Sequence, residues 1–126
     1  MAISYHIDKT EGIVYSDFSD IITWDDFDKH FKQLHDDKAF SHINFGLCDW
    51  STVKDVNIGS MNMYYLSCIC PWREKSHRAV IVPNQHIFAM CRMLQSLSEE
   101  KNGLIQIFYD RDEAKIWLKS MRKQTL

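Results

Sequence analysis

The chain has 126 residues, 45% of them hydrophobic and 25% charged, and a formal net charge of -2. That size and mix fit one ordinary globular domain and exclude a disordered chain. The weakly acidic balance argues against nucleic acid, and no apolar run approaches the ~20 residues a membrane-spanning helix needs.

Ile3, Tyr5 and Ile7 alternate with polar residues, the period of a half-buried strand. Thr10-Glu11-Gly12 supplies a turn, and Ile13 to Phe18 returns as the second strand of an antiparallel hairpin. Thr23 is a helix N-cap, with Asp25 and Asp26 in the first turn. Behind it Trp24, Phe27, Phe31 and Leu34 form one apolar stripe, and Asp28, Lys29, Lys32 and Gln33 face water. Ile43, Phe45 and Leu47 mark a third strand running into Cys48-Asp49, followed by a polar stretch from Ser51 to Asn57. A second helix is expected over Gly59 to Cys70, stopped by Pro71. Ala79-Val80-Ile81-Val82 is a continuous apolar run between helices, which predicts a central strand buried on both faces. Asn84 caps a third helix with Ile87, Met90, Cys91, Leu94 and Leu97 inward, ending at Asn102-Gly103. Leu104 to Phe108 is the last strand, and Asp110 or Asp112 opens a helix with Ala114, Trp117, Leu118 and Met121 inward.

The expected fold is therefore a single α/β domain over residues 1–126, a mixed five-stranded sheet with four helices in the order β-β-α-β-α-β-α-β-α. Trp24, Phe27, Phe31, Leu94 and Trp117 are expected in its core.

The N-terminus, Met1-Ala2-Ile3-Ser4-Tyr5-His6, lacks a basic stretch and an apolar core, so no secretory signal is expected. Cys48, Cys68, Cys70 and Cys91 lie in apolar segments, which reads as reduced, packed thiols in the cytoplasm. Cys68-Ile69-Cys70 is C-x-C at a helix end, where a thiolate is disfavoured, so neither a redox pair nor a zinc site is expected. The six histidines show no H-x-x-x-H pairing and are expected at or near the surface. The four dispersed glycines make no phosphate-cradling loop, and no serine lies in G-x-S-x-G. No metal or cofactor is expected.

Two candidate sites remain. Asp49 and Ser51, with Ser60 nearby in sequence, would lie at the C-terminal edge of the sheet, where open α/β sheets collect ligands. The second helix carries apolar or aromatic groups at seven of the nine positions from Met61 to Ile69, more than one buried stripe needs. Met61, Tyr64, Tyr65 and Trp72 would form its contact surface, and Arg73 and Lys75 the polar rim.

Four stretches resemble the STAS (anti-sigma-factor antagonist) family, most of all its SpoIIAA-like branch. They are the hairpin Tyr5-His6-Ile7-Asp8-Lys9 and Glu11-Gly12-Ile13-Val14, the strand end Asp49-Trp50-Ser51-Thr52-Val53, the run Arg78-Ala79-Val80-Ile81-Val82-Pro83 with Phe88 to Met93, and the ending Phe108 to Leu118, similar to F-x-D-x-x-E-A-x-x-W-L. The resemblance covers nearly the whole chain and implies a bacterial regulatory or binding domain, with a link by fold to lipid-binding modules. Phosphorylated members carry two adjacent hydroxyl residues before the second helix. Here Val56 and Asn57 stand there, so a sporulation-type phosphorylation switch is not expected.

The leading expectation is a non-enzymatic module that binds an apolar ligand or lipid, or a protein partner, through the second helix and adjacent loops. Self-association through the same surface is the related expectation. The alternative is an enzyme with its site at Asp49, Ser51 and Ser60.

Overall fold

The computed structural model describes residues 2–99 and 101–125, and the side chains of Ser60, Met61, Met63 and Thr125 lie outside the described set. The elements are β1 (Ile3–Asp8), β2 (Ile13–Thr23), α1 (Trp24–Asp36), β3 (Phe45–Asn57), α2 (Ser60–Ile69), β4 (His77–Ile81), α3 (Gln85–Ser98), β5 (Leu104–Phe108) and α4 (Arg111–Thr125), with a 3-10 turn at Lys38–His42. The expected order is the observed one. The sheet runs β1-β2-β3-β4-β5, with β1 antiparallel to β2 and every later pair parallel.

Thr23 and Asp26 close α1 reciprocally: Asp26 N–H donates to Thr23 Oγ1 at 3.3 Å, and Thr23 N–H donates to Asp26 Oδ2 at 2.9 Å. Asn84 Oδ1 likewise accepts from Ile87 N–H at 3.0 Å at the start of α3. Alternation along each strand divides the core in two. Ile13, Tyr15, Leu47, Ala79 and Ile81 face Ala114 and Leu118 of α4. Phe18, Cys48, Trp50, Val80 and Ile105 face the opposite way, toward α1, α2 and α3.

Three expectations are corrected. The polar stretch Ser51 to Asn57 is strand: β3 pairs with β4 only over Phe45–Asp49, then continues beside a lengthened β2 to Asn57. Register shifts between Asp17 and Ser19 and between Asp20 and Ile21 break the alternation along this arm, and Asp20 takes φ of 59° at the second. The β4 strand is interior and buried from Arg78 onward, but β3 is the middle strand of the five. Of the five expected core residues, only Phe27 is fully buried; Trp24, Phe31, Leu94 and Trp117 are half-buried and pack against the core from its margin.

Candidate functional site

Beneath α2, between the sheet and helices α1 and α3, lies a cavity of about 60 Å³. Its walls follow from period and spacing. Cys48 and Trp50 are two apart on β3, and Arg78 and Val80 two apart on β4, so all four point to the same face. From α1 come Phe27, His30 and Phe31, and from α3 Cys91, Leu94 and Ser98, each set spaced to share one helix face. Leu66 and Ser67 of α2 close the top.

The loop after α2 is built around Trp72. Gly46 gives it room: a Cβ there would stand 2.5 Å from the indole ring. Phe40 meets the same ring edge-on at 4.9 Å between centroids, and the Arg78 guanidinium lies over it at 5.3 Å. Asn102 ties this loop to the far end of α3, its Nδ2 donating to the carbonyls of Cys70 at 3.3 Å and Trp72 at 3.1 Å. Asn102 Oδ1 is left buried without a donor.

Among the described residues, five buried side-chain polar atoms lack a hydrogen-bond partner, and four belong to residues lining this cavity: His30 Nδ1, Trp50 Nε1, Arg78 Nε and Asn102 Oδ1. Orphaned buried polar atoms are rare, and four of the five belong to the residues around this space. Arg78 is only 8% exposed and His30 only 4%. Burial, helped by the nearby Arg78 charge, pulls the His30 imidazole down to about 4, so it is neutral at physiological pH. Burial pushes the Cys48 thiol up to about 11 and raises Cys91 as well, so neither is a nucleophile at neutral pH. Among the described residues no three His, Cys, Asp or Glu side chains converge as a metal site would require.

The two expected sites fare differently. Tyr64 and Tyr65 are 54% and 50% exposed on the outer face of α2, joined there by Ile69 and Cys68. Cys68 is thus not the packed thiol expected. Met61 was expected beside them, but its side chain lies outside the described residues. Trp72 is corrected outright: it is buried core, held by Gly46 and Phe40. Arg73 pins a loop instead of forming a rim, donating from Nη2 to the carbonyls of Phe40 and Ile43 and from Nε to Asn44 Oδ1.

Asp49 does stand where β4 ends, opposite Ile81. Its carboxylate is already engaged, by Arg111 Nη1 at 2.6 Å and by Ser51 N–H at 2.9 Å. Burial would push it up, but the Ser51 hydrogen bonds and the Arg111 guanidinium hold it below the usual carboxylate range. The structure does not bring Ser60 to this pair. The strand runs on from Asp49 to Asn57 over about 26 Å, and α2 begins just beyond. The Ser60 side chain itself is outside the described residues.

The cavity residues went unread in the sequence, and one had a legible signal. His30 follows Phe27 by three and precedes Leu34 by four, inside the apolar stripe. Arg78 and Asn102 had none, because each is buried by segments remote in sequence.

No family model matches the chain, and no curated protein matches it in sequence. Among solved structures it is similar to an uncharacterised DUF3478-family protein with a SpoIIAA-like fold from Shewanella loihica PV-4. The two share 17% identity at a TM-score of 0.67, over 93% of each chain. The fold of this chain is SpoIIAA-like, as the four stretches imply. Among the described residues, no helix is long and apolar enough to cross a membrane.

Proposed function

We propose that this domain is a non-enzymatic binding module that holds a small, largely apolar molecule in the cavity beneath α2. The observation that carries the reading is a largely apolar cavity whose lining includes four residues, His30, Trp50, Arg78 and Asn102, that each hold an unpartnered buried polar atom. Small-molecule sites have that composition: apolar walls with a few polar groups that set orientation. The raised thiols and the engaged Asp49 supply no activated nucleophile or free base, which weighs against the enzymatic alternative. Four cysteines without a disulfide support a reducing, cytoplasmic setting.

The test is an amide NMR screen of the protein against short acids, alcohols and amides, repeated with Ser67→Leu and Cys91→Met. A genuine ligand shifts the signals of cavity residues in the native protein, and both filling variants fold but lose the response. Shifts confined to surface residues, or persisting in the filled variants, would sink the reading.

The exposed Tyr64 and Tyr65 favour a second role, a protein contact or self-association through the outer face of α2. Light scattering of Tyr65→Glu decides it, since an association through this face dissolves on adding the charge.

A further inference from the structure

Arg78 lines this cavity, and among the described residues its charge has no acidic partner. Its hydrogen bonds run to neutral groups, from Nη2 to the carbonyl of Asn102 at 3.2 Å and from Nη1 to Cys70 Sγ at 3.9 Å. The Trp72 ring beneath it is also neutral. Burying an unpaired cation is costly. Arg78 Nε–H has no hydrogen-bond partner, and among the described residues Arg78 is the only formally charged side chain lining the cavity.

We propose that the occupant is a short monocarboxylate, its carboxylate paired with the Arg78 guanidinium and its tail against Phe27, Phe31 and Leu94. The inference rests on the binding reading above and names its ligand class. Arginine's planar fork matches a carboxylate, and Trp50 Nε1–H is a second free donor on the same wall. One cation balances one negative charge. A phosphate dianion would bring a second charge into apolar walls with nothing to meet it, since His30 is neutral. Size sets the length of the acid. The space of about 60 Å³ is less than half the roughly 150 Å³ of an engineered cavity that takes benzene. Acetate and propionate are the acids of that scale.

The experiment is an NMR titration of the full chain at pH 7 with propionate, propionamide, n-propanol and inorganic phosphate, read at the Trp50 indole N–H. Propionate is expected to move that signal at a concentration at least tenfold below the amide or the alcohol, and phosphate to leave it unmoved. Arg78→Met is expected to lose at least tenfold for propionate and to leave propanol unchanged. If that variant does not fold, Arg78→Lys replaces it, with the comparison among ligands on the native protein deciding alone. Propanol or propionamide binding as well as propionate would overturn the carboxylate assignment and leave the binding reading intact. A Trp50 signal that none of the four moves would overturn both, the cavity then holding water alone.

Discussion

Acid should unfold this protein through His30. In the folded chain the imidazole is 4% exposed, edge-on to Tyr5 and Phe18 and within the field of Arg78. Burial and that charge pull it from 6.5 to about 4. Unfolded His30 therefore takes up a proton near pH 6.5, while the folded chain takes one up only near pH 4. Between these values the unfolded state holds more protons, so its contribution to stability is full above about pH 7 and falls as the pH drops toward 4. The gap of about 2.5 pH units corresponds to about 3 kcal/mol, of which about 2 kcal/mol is gone by pH 5. Urea unfolding followed by tryptophan fluorescence at pH 7, 6 and 5 measures it, with His30→Phe as the reference that keeps a ring and cannot titrate. Other titrating groups, the carboxylates among them, also change stability in acid, but equally in both proteins. The expected result is a native curve that drops about 2 kcal/mol more than the variant's between pH 7 and 5. Parallel curves would refute the buried, neutral state of His30.

Phe27→Ala, at a site packed against Phe18, Phe31 and Trp50, should lose about 3–5 kcal/mol in urea unfolding, while Phe31→Ala, half-exposed, should lose clearly less. Equal losses would contradict the marginal placement of Phe31. Asp49→Asn breaks a part-buried pair with Arg111 and should cost about 1–2 kcal/mol at pH 7, between the range of surface pairs and that of buried ones. A loss near zero would show the pair to be fully screened by solvent.

Hydrophobic periodicity, cap residues and Pro71 were enough to place all five strands and four helices in order, because each of those signals acts within a few residues along the chain. The resemblance carried by Asp49 to Val53 and by Phe108 to Leu118 pointed to the same architecture that the similar solved structure displays. His30, expected at or near the surface, is buried instead, and its place in the α1 stripe was the signal that went unread. What the sequence could not decide depends on partners far away in the chain. Trp72 reads as an exposed anchor until Gly46, twenty-six residues earlier, is found to leave a space its ring fills. Arg78 and Arg73 look alike as basic residues after a helix, yet one is folded over Trp72 into the interior while the other clasps the carbonyls of Phe40 and Ile43. The strand at Ser51–Asn57 hid behind bulges that break its period, visible only once β2 is paired with it. A cavity is the extreme case: it is a volume left between elements, and only the packing of α1, α2 and α3 on the sheet creates it.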